Sequence, residues 1–323
     1  MSLDFVQVKR TLESLNAPLG AGKVFFVIPE SDSFASDFIG AQKVSGQVVG
    51  TIQQGVDSCL SGRGDTVVVL PGTYTFSDAA LAVNKNSVTI MGLPGQLELT
   101  YLITGQQDEA AGAVTGFNTI NVTGTYVTIS GLNVANGWHN GGTPTRDVIA
   151  ASGSGFTLKD SLISYDTQEG SALNGVNLAA NFGKVLNCRF DNCITGGSAV
   201  YLDVTTADIR NPVIEGCHFT GVNNNDTNNN LAFAAAASSA NSIWGLLIKG
   251  NVFDPSGTGG ATGTAGEWYD LNNGGGGDYE GMICDNLFGV ASIAAANELG
   301  DLSAVIHFIG NKGLNGLSTA VPS

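Results

Sequence analysis

The sequence is short of basic residues, with 13 Lys and Arg against 28 Asp and Glu and a net charge of −15. Because proteins contact nucleic-acid phosphates through Lys and Arg, this deficit argues against nucleic acid as a partner. No apolar run approaches the roughly 20 residues that a bilayer-spanning helix needs, so we expect no membrane insertion. The first residues also lack the apolar stretch of a secretory signal, which predicts that the chain is made in a cytoplasm.

Patterns that hold metal ions or cofactors are equally scarce. The five cysteines include no CxxC pair, and the three histidines do not cluster with them. We therefore expect no metal site, and nothing in the sequence indicates a cofactor. Since a free buried cysteine behaves as a small apolar residue, we expect five reduced and mostly buried thiols. A disulfide between Cys188 and Cys217 is the alternative.

Glycine is abundant, at 45 residues against eight prolines, and this predicts many tight turns. A short phrase that contains an apolar residue, a turn residue and a second apolar residue recurs along the chain. The intervals between its copies vary, which places the extra length in loops. We take the fourth position of the phrase as an anchor, occupied by Leu93, Leu132, Ser161, Cys188, Cys217, Asn251, Asn286 and Asn311.

Three further columns of residues keep a fixed offset from the anchor. Two of them are apolar and five residues apart, so both can point inward only if the strand turns a corner between them. The third consists of Gly, Asp and Asn, which tolerate a left-handed backbone and so supply that corner. The first apolar column is Ile90, Ile129, Leu158, Val185, Ile214, Ile248, Ile283 and Phe308, the corner column is Gly92, Gly131, Asp160, Asn187, Gly216, Gly250, Asp285 and Gly310, and the second apolar column is Val134, Ile163, Phe190, Phe219, Phe253 and Phe288.

These columns predict an all-β chain, folded as a single-stranded parallel β-helix of about 8–10 rungs. Like residues should then stack at about 4.8 Å, and the three anchor asparagines should form an amide ladder. We assign residues 1–47 to an N-terminal helix and leading segment that acts as a cap or docking element, residues 48–315 to the β-helix and residues 316–323 to a C-terminal tail. The pattern favours helices at residues 3–16 and over Ile52, Val56, Cys59 and Leu60, followed by a strand from Val67 to Leu70.

The segment TIQQGVDSCLSGRGDTVVVLPGTYTF, followed by NSVTIMG, resembles the opening of the right-handed β-helix proteins of the pectate-lyase-like superfamily. The resemblance implies the fold and its handedness. It does not select a chemistry, because that superfamily includes polysaccharide lyases, glycoside hydrolases, phage tailspikes and inactive virion proteins. An Arg63-Gly64-Asp65 tripeptide in this segment is interpreted as a structural turn rather than a receptor-binding motif.

Sugar hydrolysis on such a scaffold needs two carboxyl groups roughly 5 to 9.5 Å apart. Asp191 and Asp254 both lie three positions after an anchor, two rungs apart, and so at a separation of about 9 to 10 Å. Asp203 and Asp208 are a second candidate pair. The alternative interpretation is that these aspartates are solvated turn residues.

Glycan recognition without cleavage is a separate hypothesis. Trp268 and Tyr269 lie in a long Gly-rich insertion and could stack on a sugar ring or pack within the loop. Insertions in stacked proteins gather on one face, which makes this loop a candidate recognition surface.

The preferred prediction is a non-enzymatic virion component of a phage, such as a capsid decoration, spike or tail protein. It would form a homotrimer, contact other virion proteins and reach a host polysaccharide. The alternatives are a polysaccharide depolymerase, either glycoside hydrolase or lyase, and a carbohydrate-binding module. An extracellular location is the alternative to the virion.

Overall fold

The computed structural model describes residues 22–28, 47–77, 79–93, 100–104, 117–136, 146–165, 173–191, 194–195, 198–220, 223–224, 233–235, 240–254, 269–271, 277–288, 300–302, 305–313 and 316–317. Within these residues the chain winds through three long parallel sheets, here called A, B and C. Most turns of the winding contribute one strand to each sheet.

Sheet A runs in the order β2-β1-β3-β6-β9-β12-β15-β20-β24-β27-β30, with β19 beside β24. Its strands are β1 (Val24–Val27), β2 (Val48–Val49), β3 (Thr66–Val69), β6 (Thr89–Gly92), β9 (Thr128–Ser130), β12 (Thr157–Lys159), β15 (Lys184–Leu186), β19 (Ile209–Arg210), β20 (Val213–Glu215), β24 (Ile243–Lys249), β27 (Tyr279–Cys284) and β30 (Val305–Ile309).

Sheet B has ten strands and sheet C has eight. Sheet B contains β4 (Gly72–Phe76), β7 (Thr100–Thr104), β10 (Asn133–Asn136), β13 (Leu162–Tyr165), β16 (Arg189–Asp191), β21 (His218–Thr220), β25 (Val252–Asp254), β28 (Leu287–Phe288), β31 (Lys312–Gly313) and the antiparallel β32 (Gly316–Leu317). Sheet C contains β5 (Leu81–Val83), β8 (Ile120–Val122), β11 (Ile149–Ala151), β14 (Val176–Leu178), β18 (Val200–Leu202), β23 (Phe233–Ala235), β26 (Tyr269–Leu271) and β29 (Gly300–Leu302), while β17 (Ile194–Thr195) and β22 (Asn223–Asn224) form a small separate sheet.

The eight strands of sheet C each complete one rung, and this number agrees with the predicted 8–10 rungs. The predicted stacking of the first apolar column is confirmed: Ile90, Ile129, Leu158, Val185, Ile214, Ile248, Ile283 and Phe308 are paired in register from one strand of sheet A to the next, and all are buried.

The second apolar column stacks in the same way on sheet B. Rings of Phe190, Phe219, Phe253 and Phe288 follow one another at centroid distances of 4.8, 5.2 and 4.5 Å and are nearly parallel. Each ring is at most 1% exposed. These offset stacks add to the free energy that burial of the rings already contributes.

The anchor column forms the predicted amide ladder. Oδ1 of Asn286 accepts hydrogen bonds from the backbone N–H (2.8 Å) and the side-chain amide (3.0 Å) of Asn251. Oδ1 of Asn311 accepts the same pair from Asn286, at 3.0 and 2.8 Å. All three asparagines are buried, so the ladder satisfies polar groups that water cannot reach.

The corner column has a left-handed backbone at seven of its eight positions, with φ between 50° and 68°. Gly92 is the exception, and its prediction as a left-handed corner was wrong. It ends strand β6, where an added Cβ would lie 2.2 Å from the carbonyl oxygen of Gly131. Glycine is needed there because two backbones approach closely, not because φ is positive.

One short helix, α1 (Ile52–Ser58), packs against β1, β2, β3 and β5 at the start of the stack. Its N-cap is Thr51, whose Oγ1 accepts a hydrogen bond from the Gln54 N–H. Ile52, Val56 and Cys59 are buried as predicted, but Leu60 is 58% exposed. The helix ends at Ser58 and Cys59 is extended, so the chain has left the helical face before Leu60. The helix predicted at residues 3–16 lies outside the described residues.

Two strand assignments extend the sequence-based picture. Strand β1 (Val24–Val27) lies within the segment assigned as leading residues and pairs in parallel with β3. Strand β3 begins at Thr66 and ends at Val69, one residue earlier at each end than predicted.

The Arg63-Gly64-Asp65 turn is structural, as predicted. Asp65 is fully buried and accepts hydrogen bonds from the backbone N–H groups of Lys23 and Leu60, both at 2.7 Å. The Arg63 guanidinium donates two further bonds to it, at 2.5 and 2.6 Å. A carboxylate held in this way ties the first strands together and is not available to a receptor.

Four of the cysteines, Cys59, Cys188, Cys217 and Cys284, are free and buried, in agreement with the sequence. The fifth, Cys193, lies outside the described residues. In the part of the chain that the structure describes, no helix is long and apolar enough to cross a membrane.

Candidate functional site

The connections between strands differ in length according to the corner they turn. Two residues, Asp160 and Ser161, carry the chain from β12 in sheet A to β13 in sheet B, and five carry it from β11 in sheet C to β12. The connections between sheets B and C vary most in length, at residues 77–80, 105–119, 137–148, 166–175, 192–199, 221–232, 255–268 and 289–299. Residues 272–278, however, connect β26 in sheet C to β27 in sheet A, so the predicted insertions do not all gather on one side of the stack.

The outer face of sheet B carries a strip of polar residues. The strip ends where the chain leaves sheet B toward sheet C. Strands β16, β21 and β25 each place a Phe inward, so the residues on either side of the Phe point outward. We call these outward residues, with two from earlier rungs, the sheet B polar strip: Asn133, Ser164, Arg189, Asp191, His218, Thr220 and Asp254.

Polar contacts link neighbouring members of the strip. Arg189 Nη2 donates to Asp191 Oδ2 at 2.6 Å, and their side chains are 49% and 24% exposed. Ser164 Oγ donates to Asn133 Oδ1 on the adjacent rung, at 2.7 Å. The hydroxyl of Thr220 lies 3.4 Å from the ring nitrogen of His218. The strip therefore offers two carboxyl groups, a guanidinium, an imidazole, two hydroxyl groups and an amide on one partly exposed surface.

Asp191 and Asp254 share one column of the strip. Asp191 pairs in register with Thr220, and Thr220 pairs with Asp254. The predicted separation of two rungs is thus confirmed, which corresponds to about 9 to 10 Å between the two backbones. That spacing lies at the upper end of the range for carboxyl pairs that hydrolyse a glycosidic bond with water between them.

Asp203 and Asp208 lie apart from the strip, beyond strand β18 of sheet C. Asp203 Oδ1 accepts hydrogen bonds from the N–H (3.0 Å) and hydroxyl (2.5 Å) of Thr205, which folds a local turn. Asp208 Oδ1 accepts a bond from the Ser242 N–H at 2.9 Å. Asp203 therefore stabilises a local turn and Asp208 links two rungs, and none of these hydrogen bonds involves Asp191 or Asp254.

The aromatic pair predicted to bind sugar is only partly described. Trp268 lies outside the described residues. Tyr269 begins strand β26 and pairs in register with Phe233 and Gly300. Its role in glycan binding stays a prediction.

A polar stack at the base of the insertions, buried except at its first residue, was missed by sequence reasoning. It consists of the residue two positions before the first residue of four sheet C strands: Asn118, Asp147, Asn174 and Ser198. Unequal loops precede these positions, so an alignment on the anchors does not bring them into one column. The signal that remains is their fixed offset from the β-branched residues that open the strands.

Hydrogen bonds run along this stack. Asn118 Oδ1 accepts from the Asp147 N–H, Asp147 Oδ1 from the Asn174 amide, and Asn174 Oδ1 from the Ser198 N–H, at 2.8, 2.8 and 3.0 Å. Burial raises the pKa of Asp147, although the amides of Asn174 and Asn177 oppose the shift. The stack fixes the backbone just before strands β8, β11, β14 and β18 of sheet C.

Metal ligands are not assembled in this region. Among the described residues, no three His, Cys, Asp or Glu side chains lie close enough together to hold a metal ion.

No protein-family model matches the sequence, and no curated protein matches it. Solved structures do match its shape. A pectate lyase superposes with a TM-score of 0.56 at 10% identity, over 93% of this chain and 79% of its own. The chain has the fold of the right-handed parallel β-helix proteins. A pectin methylesterase in complex with a hexasaccharide matches with a TM-score of 0.53 at 11% identity, covering 92% of this chain and 91% of that one. The pectin methylesterase from Aspergillus niger matches with a TM-score of 0.50 at 12% identity, over 93% and 87% of the two chains.

Proposed function

We propose that this protein acts on a polysaccharide and that the glycan lies along the sheet B polar strip. The observation that carries the proposal is the coincidence of Asp191, Thr220 and Asp254 in one outward column of sheet B, whose connections to sheet C vary most in length. The structures that share the fold include enzymes of pectin, which supports a polysaccharide substrate more than a purely structural role.

The repeat of the scaffold suits a chain-like ligand. Rungs follow one another at about 4.8 Å, which is comparable to the length of one sugar unit. A glycan that runs parallel to the stack would therefore meet a new pair of outward residues at each unit. Arg189, His218 and Thr220 supply hydrogen-bond donors on adjacent rungs.

The chemistry that fits the spacing is hydrolysis with inversion. One carboxyl group protonates the oxygen of the departing sugar, while the other removes a proton from a water molecule on the opposite face of the ring. We assign the second task to Asp191, because Arg189 Nη2 donates a hydrogen bond to its Oδ2 at 2.6 Å and so orients the carboxyl group at one side of the strip. Asp254 then donates the proton to the departing oxygen.

The test is turnover by the purified chain on pectate, methylated pectin, alginate and bacterial capsular polysaccharide. New reducing ends report hydrolysis, and absorbance of unsaturated uronate reports elimination. Asp191→Asn and Asp254→Asn should each lower the hydrolysis rate by about 10²- to 10⁴-fold, the range for loss of general acid–base catalysis.

Glu215→Gln is the matched control. Glu215 is a half-exposed acid on the same winding of the chain as Thr220, but on the outer face of sheet A, where it contacts Lys249. It should leave turnover unchanged. Turnover that survives both aspartate substitutions would remove the strip as the active site, and no product from any of the polysaccharides would contradict the enzymatic proposal.

The prediction of a non-enzymatic virion component remains a separate proposal. Neither the described residues nor the structural matches bear on a capsid, a tail or a host surface. The homotrimer also stays a prediction. Light scattering on the purified chain would report its mass in solution.

A further inference from the structure

The corner between sheets C and A holds an unusual set of residues. At this corner, here called the C–A edge, one residue on each of six successive rungs has a left-handed backbone; the first four lie in connections from sheet C to sheet A, the fifth between β19 and β20, and the sixth within β24. Ser, Gly and Asn at such positions are unremarkable, whereas a bulky aromatic residue there is a conformational outlier. The set is Ser87, Tyr126, Gly155, Phe182, Asn211 and Gly245, with φ between 50° and 68° except for 73° at Gly155.

Tyr126 and Phe182 are the two outliers, and both rings face solvent. Tyr126 is 68% exposed and Phe182 48% exposed, so neither is held in place by packing into the core. An exposed ring does not offset the free-energy cost of the strained backbone that carries it. Such strain persists where the side chain serves another purpose, and binding is the usual one.

The two rings lie along one line of the stack. The Tyr126 N–H donates to Ser154 O, the Gly155 N–H to Asn181 O and the Phe182 N–H to Arg210 O, at 2.8, 2.8 and 2.7 Å, so the three connections are consecutive. Tyr126 and Phe182 are therefore two rungs apart, or about 9 to 10 Å.

Gly155 makes room between the two rings. A Cβ added at Gly155 would lie 2.6 Å from Cδ1 and 2.9 Å from Cε1 of Tyr126, so the tyrosine ring leans across the glycine. The result is a shallow track with an aromatic surface on alternate rungs and no side chain on the rung between them.

Exposed cations border this track. Lys184 is exposed and follows Phe182 by two residues, and Arg210, whose side chain is 58% exposed, ends strand β19 on the next rung. Asp208 lies 3.9 Å from Arg210 and offsets part of its charge. In a chain with only 13 basic residues and a net charge of −15, two exposed cations beside two exposed rings favour a ligand that carries negative charge.

We propose that the C–A edge binds an anionic glycan, with sugar rings stacked on Tyr126 and Phe182 and acidic groups beside Lys184 and Arg210. Aromatic rings present a flat apolar face to the C–H face of a sugar, and the cations supply charge complementarity. This binding surface lies on a different side of the stack from Asp191 and Asp254. It does not depend on the function proposed for the sheet B polar strip.

Affinity electrophoresis tests the proposal, in native gels that contain pectate, alginate, chondroitin sulfate or neutral dextran. We expect an anionic polymer to retard the full chain and dextran to leave it unaffected. Tyr126→Asn with Phe182→Asn should weaken the retardation by about 10-fold or more, the product of two lost ring contacts. Leu60→Asn, at an exposed apolar residue beside α1, should retain it.

A second readout separates binding from folding. Because Asn tolerates a left-handed backbone, Tyr126→Asn and Phe182→Asn should raise the melting temperature by about 1–4 °C while they weaken binding. Four results would overturn the proposal: no retardation by any anionic polymer, equal retardation of the double variant, equal retardation by dextran, or a self-association of the chain that the double variant abolishes. The last would make the C–A edge an interface between copies of this protein.

Discussion

The interior and the outer surface of this β-helix follow different rules. Inside, one column keeps a single residue type over four rungs, as in the stack from Phe190 to Phe288. Each phenylalanine ring there stacks on the phenylalanine of the next rung. Outside, the column that contains Asp191 changes at every rung, from Ser164 to Asp191, Thr220 and Asp254. The repeated interior specifies the fold, and the variable exterior is where this protein can differ from others of the same shape.

Phe219→Ala removes a ring from the middle of the phenylalanine stack and should have the largest effect on the free energy of unfolding. Phe219 is fully buried between Phe190 and Phe253, and its loss opens a cavity in the stack. We expect a loss of about 3–5 kcal/mol in the free energy of unfolding, measured by urea denaturation. Leu287→Ala, 40% exposed on the outer face of the same sheet, should change it by less than about 0.5 kcal/mol. Equal effects of the two substitutions would contradict the register.

Asp65→Ala should come next, with a loss of about 3 kcal/mol, because it leaves the Lys23 and Leu60 N–H groups without their acceptor. Burial alone would raise the Asp65 pKa, but the hydrogen bonds from Arg63, Leu60 and Lys23 outweigh it and lower the pKa below its usual value.

This lowered pKa makes the contribution of Asp65 to stability depend on pH. A carboxyl group with a lowered pKa in the folded state stabilises fully above its unfolded pKa of about 4, and the stabilisation is lost as the pH falls through the lower folded value. Urea midpoints of the wild type and Asp65→Ala should therefore differ most at neutral pH and converge in acid. A gap that stays constant down to pH 2 would refute the assignment.

Asn286→Ala interrupts the amide ladder, the polar counterpart of the phenylalanine stack. It removes acceptors from Asn251 and donors to Ile248 O and Asn311 Oδ1 in a buried row. The expected loss is about 1–3 kcal/mol in urea denaturation. Asn84→Ala, at an exposed asparagine before the next turn, is the control and should stay within about 0.5 kcal/mol. A loss no greater than that of the control would show that the ladder contributes nothing.

Asp191→Asn should have the smallest effect on stability, below about 0.5 kcal/mol, because its ion pair with Arg189 is partly exposed. The same substitution is expected to abolish most polysaccharide turnover. A variant that unfolds markedly more easily would instead assign Asp191 a structural task, and would weaken the contrast between interior and exterior.

Much of the fold follows from the sequence because the interior repeats. The columns at Ile129 and Phe219, the corner at Asn187 and the ladder at Asn286 all needed only a fixed offset from the anchor. Gly92 and Leu60 were misjudged for local reasons. The first glycine is required by a close backbone approach, and the second residue comes after the helix has ended.

The candidate sites were harder to predict from the sequence than the fold. Asp191 and Asp254 were found because they follow the anchors at a constant offset. The stack of Asp147 and Asn174 was not, because loops of unequal length separate it from the anchors. Tyr126 and Phe182 showed no sequence pattern at all, since their distinction lies in backbone conformation and exposure.

The amino-acid sequence by itself determined the coiling of this chain, the residues that face inward and the place where each rung turns from sheet A to sheet B. Those features depend on short-range periodicity and on the backbone preferences of Gly, Asp and Asn. Only the tertiary structure decided which outward residues are neighbours, because rungs 25 to 39 residues apart in the chain come within one strand spacing of each other after stacking. The polar strip and the aromatic track both arise at that level.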